Sequence, residues 1–192
     1  MCLEALLTSA AVVALAEIGD KTQLLAIVLA TRFRKPVPII AGILFATLAN
    51  HFLAALLGAQ VAAVLEGQWF RYLVAVSFIA MAGWTLIPDT LDEPVDKPAR
   101  FGAFLTTLIA FFIVEMGDKT QIATVALGAR FHEVGWVTMG TTLGMMLANV
   151  PAVYLGQELI KRVPLRIVRM VAAALFLVMG LWLLAQTAGG PR

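Results

Sequence analysis

The sequence predicts an all-α integral membrane protein of six transmembrane helices, arranged as two inverted three-helix repeats. Three observations carry that prediction. The chain is 61% hydrophobic and 14% charged, against about 25% charged in soluble domains, which leaves too little polar surface to coat a soluble globule. Six apolar runs, at 5–30, 37–65, 69–88, 101–129, 133–159 and 164–187, each reach the ~20 residues a helix needs to cross a hydrocarbon core. The two halves also match at a fixed offset of 98, without a gap. The offset pairs Glu17 with Glu115, the run Gly19 to Gln23 with Gly117 to Gln121, Gly42 with Gly140, Arg71 with Arg169, Phe78 with Phe176 and Trp84 with Trp182. A match of that length is an internal duplication.

The first run opens MCLEALLTSAAVVALA. It has no basic leading segment and no convincing cleavage site, so it reads as the first helix and not as a signal peptide. The turn Arg32 to Pro38 ends it, with prolines that suit the start of the second helix. Glu66 to Trp69 separates the second helix from the third. The segment PDTLDEPVDKPAR, Pro88 to Arg100, holds four acidic residues and three prolines and reads as a loop. It divides one membrane domain, 1–192, into repeat one (1–88), a cytoplasmic linker (89–100) and repeat two (101–192). Arg130 to Gly135 and Lys161 to Pro164 are the remaining breaks. Trp69, Trp84, Trp136 and Trp182 fall near predicted helix ends, where interfacial aromatic belts lie.

An odd number of helices per repeat makes the second repeat enter the membrane from the opposite side. Inverted repeats of this kind place a transported substrate near the midplane, between the repeats. Orientation follows from loop charge. Arg32, Arg34, Lys35, Lys97, Arg100, Lys161, Arg162, Arg166 and Arg169 lie on one side, and only Arg71, Arg130 and Arg192 on the other. The positive-inside rule puts the first set in the cytoplasm and both termini outside it. A net charge of +2 gives no reason to expect a nucleic-acid partner. The single cysteine, Cys2, excludes an intrachain disulfide.

The motif EIGDKTQ, Glu17 to Gln23, sits inside an apolar run and returns as EMGDKTQ, Glu115 to Gln121. On a continuous helix Glu17, Asp20 and Lys21 stand at i, i+3 and i+4 and share one face, as do Glu115, Asp118 and Lys119. Charge in the membrane interior costs at least a few kcal/mol per residue, so these six groups are expected to meet one another, water or a ligand. Four carboxylates and two ammoniums sum to −2, which a divalent cation would neutralise. The available donors are Glu17, Asp20, Glu115 and Asp118 with the oxygens of Thr22, Gln23, Thr120 and Gln121, a hard-oxygen set suited to calcium, magnesium or manganese. Lys21 and Lys119 are expected as counter-ions, since an ammonium has no lone pair for a metal. Gly19 and Gly117 permit either close helix approach or a local unwinding that frees carbonyls. The competing reading is that Glu–Lys pairs merely neutralise each other within the fold. Two knots at equivalent mid-membrane positions favour function.

Other features are weaker. His51 and Asn149 match at the same offset and either line an ion path or hydrogen-bond between helices; Asn50 has the same ambiguity. Gly42, Ala46, Gly140 and Gly144 read as packing faces. Pro151 reads as a tolerated membrane proline that kinks the fifth helix. Asp89, Asp92, Glu93 and Asp96 read as solvated loop charge, with attraction of cations to a cytoplasmic entrance as the second option.

The doubled E-x-G-D-K-T motif, Glu17 to Thr22 and Glu115 to Thr120, in a six-helix chain of this length resembles the family of Golgi manganese/calcium–proton exchangers and bacterial manganese exporters (calcium/cation antiporter type 2). The resemblance covers the whole chain. It implies a cation/proton antiporter whose two motifs jointly form the ion path, with the cation carried by Glu17, Asp20, Glu115 and Asp118 and with Thr22 and Thr120 near it. The chain looks like the compact bacterial form, which implies the plasma membrane and manganese efflux, with calcium as a further cargo. The expected partners are a divalent metal ion and the lipid bilayer, with a homo-oligomer left open. No resident cofactor is expected, only transported Mn2+ or Ca2+ and protons. No catalytic constellation stands beside the knots, so an enzyme is not expected. The principal alternative is a passive divalent-cation channel.

Overall fold

A computed structural model describes residues 2–65, 67–87, 102–156 and 164–189. The acidic linker and the basic residues Lys97, Arg100, Lys161, Arg162 and Arg192 lie outside the described residues. Among those described, all regular structure is helical. The helices are α1 (Cys2–Glu17), α2 (Lys21–Phe33), α3 (Pro36–Val64), α4 (Gln68–Thr85), α5 (Ala103–Glu115), α6 (Lys119–Phe131), α7 (Val134–Leu155) and α8 (Leu165–Ala188).

Two of these, α3 and α8, are long and apolar enough to cross a membrane, and α1 with α2 passes the same test as one span bent by 69°. The helix α7 has 22 residues, but its glycines, threonines and Asn149 dilute its hydropathy. The first and fourth predicted helices are therefore each two helices. The breaks fall at Ile18-Gly19-Asp20 and Met116-Gly117-Asp118, inside the two charged motifs.

The long helices are built inside out relative to a soluble protein. Helix α3 buries Gly42, Ala46, Thr47, Asn50, His51, Ala55 and Gly58, while Phe45, Phe52, Leu53 and Leu57 are exposed. Small and polar residues facing inward with large apolar residues facing outward is the arrangement expected where lipid is the solvent. The four tryptophans are all exposed, as expected of side chains that meet the membrane interface.

Packing follows the duplication. Helix α1 packs on α7 as α5 packs on α3; α2 meets α7 as α6 meets α3; α4 pairs with α8 and α3 with α7. Each of these relations maps onto another, or onto itself, when the repeats are exchanged. Glycine contacts repeat in the same way. A Cβ on Gly42 would meet the Phe104 carbonyl and Thr107, and one on Gly140 would meet the Leu6 carbonyl and Ser9, all equivalent positions. Phe78 and Phe176, also equivalent, stack on each other with centroids 6.4 Å apart, so the relating axis runs between them. Gly58 lies against the Val125 carbonyl and Gly128 against the Ala55 carbonyl, which brings α3 and α6 into backbone contact.

Candidate functional site

Each motif begins where a helix stops. Gly19 has φ +82° and Gly117 φ +76°, a left-handed conformation that glycine adopts at little cost. Asp20 and Asp118 follow in extended conformation and stand as N-caps of α2 and α6. The Asp20 N–H donates to the Glu17 carbonyl at 3.0 Å and the Asp118 N–H to the Glu115 carbonyl at 3.2 Å. This corrects the expectation of a shared helical face. Glu17 ends one helix, Asp20 caps the next and Lys21 opens it; the second motif does the same. The left-handed glycine rules out the i, i+3, i+4 geometry. Two helix C-termini, with their partial negative charge, thus end at the glutamates, and two helix N-termini begin at the aspartates.

The glutamines brace the breaks. Gln23 Oε1 accepts from the Gly19 N–H at 2.8 Å, and Gln121 Oε1 from the Gly117 N–H at 2.6 Å. Their amide groups reach into the other repeat. Gln23 Nε2 donates to the Ala148 carbonyl at 3.0 Å and Gln121 Nε2 donates to Asn50 Oδ1. Ala148 and Asn50 are themselves at equivalent positions. Gln23 and Gln121, expected among the cation's donors, therefore spend these contacts on holding each break against the opposite repeat. The sequence carried a signal for this: glutamine recurs four residues after each motif glycine, one helical turn away.

The carboxylates are deeply buried, with Glu17, Glu115, Asp118 and Asp20 all at 3% exposure or less. Glu17 lies within Coulombic reach of Glu115, Asp20 and Asp118, so both motifs contribute to one electrostatic centre. Individual partners differ. Asn149 Nδ2 donates to Glu17 Oε1 at 3.3 Å. At the equivalent place in the other half, His51 Nε2 stands 3.7 Å from Glu115 Oε1. Thr120 Oγ1 donates to Glu115 Oε1 and lies 3.3 Å from Asp118 Oδ2. Lys21 Nζ forms an ion pair of 2.8 Å with Asp118 Oδ1 across the repeat boundary. Lys119 Nζ donates to the Ile87 carbonyl at 3.0 Å and lies 6.0 Å from the centre of the Trp84 ring. Lys21 thus meets a carboxylate of the other repeat, and Lys119 a backbone carbonyl and an aromatic ring. The carbonyl at the end of α4 is a contact that no side-chain pattern announced.

Several buried atoms remain without a hydrogen bond: Glu17 Oε2, Glu115 Oε2, Thr22 Oγ1, Asn149 Oδ1 and both ring nitrogens of His51. Buried polar groups are nearly always paired, so this concentration of free donor atoms marks the centre as built for something besides its own side chains. Among the described residues, no three of His, Cys, Asp and Glu are arranged to hold one metal ion. The carboxylates are instead engaged with Lys21, Thr120 and Asn149. A separate cavity of about 600 Å3 lies at the helix ends, lined by Glu4, Arg71, Arg130 and His132 among apolar walls. Its two guanidiniums repel cations, and it does not include the motif residues.

A comparison with known proteins also divides the chain into two matching halves. The family model described as divalent cation/proton antiporter GDT1 matches twice, over residues 5–93 and 103–191. The chain belongs to the GDT1 family. Among the relatives of this GDT1 chain is a Vibrio cholerae protein named as a candidate manganese exporter. It is 56% identical over 170 residues, covering 88% of this chain and 84% of the relative. GDT1-like protein 5 of Arabidopsis thaliana is 28% identical over 211 residues, covering 90% and 92% respectively. GDT1-like protein sll0615 of Synechocystis is 27% identical over 186 residues, covering 85% and 88%. No solved structure matches the chain.

Proposed function

We propose that this GDT1 chain is a secondary transporter that exports manganese from the cytosol in exchange for protons, with calcium as the alternative cargo to be measured beside it. The cation sits near the bilayer midplane between the two broken helices. It is carried by Glu17, Asp20, Glu115 and Asp118, with Thr22 and Thr120 as neutral oxygen donors. Gln23 and Gln121 hold the breaks, and Lys21 and Lys119 supply counter-charge when no metal is bound. Each repeat crosses the membrane three times, counting each broken pair as one crossing, so the repeats are inverted. Both termini lie outside the cytoplasm, in the inner membrane of a bacterium.

The observation that carries this reading is the convergence of buried carboxylates, partly without hydrogen bonds, at two symmetric helix breaks. Discontinuous helices facing each other at a repeat interface are the recurring ion-binding device of secondary transporters. The carboxylates are held by Lys21, Thr120 and Asn149, partners that a bound cation would have to replace. Loading then requires Asp118 to exchange an ammonium for a divalent ion. The test is cellular metal content. Cells lacking the protein should accumulate manganese when it is supplied, and the wild-type chain should restore export where Glu17→Gln and Glu115→Gln do not. Normal manganese content in the deleted cells, across a panel of divalent ions, would leave the reading without support.

A further inference from the structure

The two motifs share Glu, Gly, Asp, Lys, Thr and Gln position for position, but the side chains facing the two glutamates differ in kind. Where repeat two presents Asn149 to Glu17, repeat one presents His51 to Glu115. An amide and an imidazole are not interchangeable donors. An amide offers a metal its oxygen only, whereas a neutral imidazole offers a nitrogen lone pair.

His51 is completely buried, and neither ring nitrogen makes a hydrogen bond. A buried histidine held only for packing would ordinarily satisfy at least one nitrogen. Its Nε2 is 3.7 Å from Glu115 Oε1, too long for a hydrogen bond. Two adjacent donors on one six-coordinate ion stand about 3 Å apart when the metal–ligand bonds are about 2.1 Å, so a closing movement of under about 1 Å would bring this nitrogen and this oxygen onto one cation. Glu115 Oε2 is likewise unpaired. Helix α3 is held in backbone contact with α6 through Gly58 and Gly128, which fixes the imidazole relative to the second motif.

We propose that His51 is a selectivity-determining ligand, giving an imidazole nitrogen to the transported cation beside Glu115 and thereby favouring a transition-metal dication over calcium. Calcium takes oxygen ligands in a loose shell of six to eight, whereas imidazole suits divalent transition metals. An all-oxygen set, as at the Glu17–Asn149 half, would discriminate poorly between manganese and calcium. The inference rests on the exporter reading, and the experiment separates the two.

Mn2+ is bound to the purified full-length protein and examined by electron paramagnetic resonance, with pulsed detection of nitrogen coupled to the metal. The chain has two histidines, His51 and His132. Protein labelled with 15N in histidine alone should show the 14N coupling replaced by 15N coupling. His132→Gln should keep it. His51→Asn, which copies the residue at the equivalent position, should abolish it and lower the ratio of Mn2+ to Ca2+ affinity at least tenfold. The labelled wild-type spectrum needs no variant to fold. Mn2+ bound without histidine nitrogen coupling, or a coupling lost in His132→Gln, would overturn the ligand role while leaving the exporter reading intact. Failure of the protein to bind Mn2+ at all would overturn that reading and this inference with it.

Discussion

At the residue scale the centre consists of charges that fold chemistry alone does not require. A carboxylate buried near a membrane midplane is held either by a counter-ion or by hydrogen bonds. Glu17 has one amide donor and a free oxygen, and Glu115 has a hydroxyl donor and a free oxygen. Replacing either by glutamine keeps shape and removes charge, so Glu17→Gln and Glu115→Gln should reach the membrane folded and export less than about a tenth of the wild-type manganese, a loss of at least ~1.4 kcal/mol in transition-state terms. Asp20→Asn and Asp118→Asn should do the same. Uptake into inverted vesicles, normalised to folded protein, reads this directly, and normal export by any two of the four would refute a shared site. Lys21 makes a different prediction. Its ammonium holds Asp118 at 2.8 Å with its side chain 27% exposed. Lys21→Ala leaves a buried carboxylate without that partner and should lower stability by about 1–3 kcal/mol. Added Mn2+ should restore more stability to this variant than to the wild type, because the metal takes the place of the lost charge. Thermal unfolding with and without Mn2+ measures both effects. Equal restoration in the two proteins would exclude the counter-ion role.

At the element scale the defining feature is the helix break, and here the sequence was only half legible. The duplication, the burial of both motifs and the helix-rich membrane class follow from hydropathy and spacing, signals that extend over many residues. The break depends on the sign of φ at one glycine. Glu-x-x-Asp-Lys has the spacing of a helical face, and a hydropathy window averages across a three-residue interruption. Gly19 and Gly117 admitted unwinding without requiring it. The bracing by Gln23 and Gln121 was hidden for the same reason, since their acceptor role exists only once the Gly N–H groups leave the helix. Packing between elements can be tested through other glycines. A Cβ on Gly58 would stand 2.0 Å from the Val125 carbonyl, whereas nothing lies within 4 Å of one on Gly83. Backbone cannot swing aside as a side-chain end can. Gly58→Ala should therefore force α3 and α6 apart and destabilise by about 3 kcal/mol or more. Gly83→Ala should be neutral or stabilising by up to ~1 kcal/mol through helix propensity. Unfolding of the two purified variants gives the comparison, and similar stabilities would mean that the α3–α6 contact is looser than described.

At the scale of the whole molecule, two similar halves make two similar end states available. Helices α1 and α5 pack on the third helix of the opposite repeat, and the pairs α3·α7 and α4·α8 lie on the relating axis. In transporters built from inverted repeats, rocking one half against the other exchanges which side of the membrane reaches the centre, and the proposed function assigns this chain the same motion. The centre carries four carboxylates and two ammoniums, a sum of −2 when all are ionised. Crossing the membrane interior with that charge uncompensated is costly, so the empty, fully ionised form should reorient slowly. A divalent cation compensates the charge, and so do protons on the carboxylates. Both occupy the same oxygens and therefore compete. In the proposed export cycle the metal carries the centre outward, and protons taken up outside carry it back. Two consequences follow. Binding of Mn2+ to purified protein in weak buffer should release protons, and initial Mn2+ efflux from vesicles of defined orientation should rise as the external face is made more acid relative to the lumen, with membrane potential clamped. Within the proton-gradient series the rate should climb at low external proton concentration and then level off as return of the protonated form ceases to limit the cycle. Excess acid on the cytosolic face should slow efflux, because protons there displace the cation before it is carried. A Mn2+ flux that follows its own gradient and ignores the proton gradient would remove exchange and leave a passive divalent-cation channel as the activity of this fold.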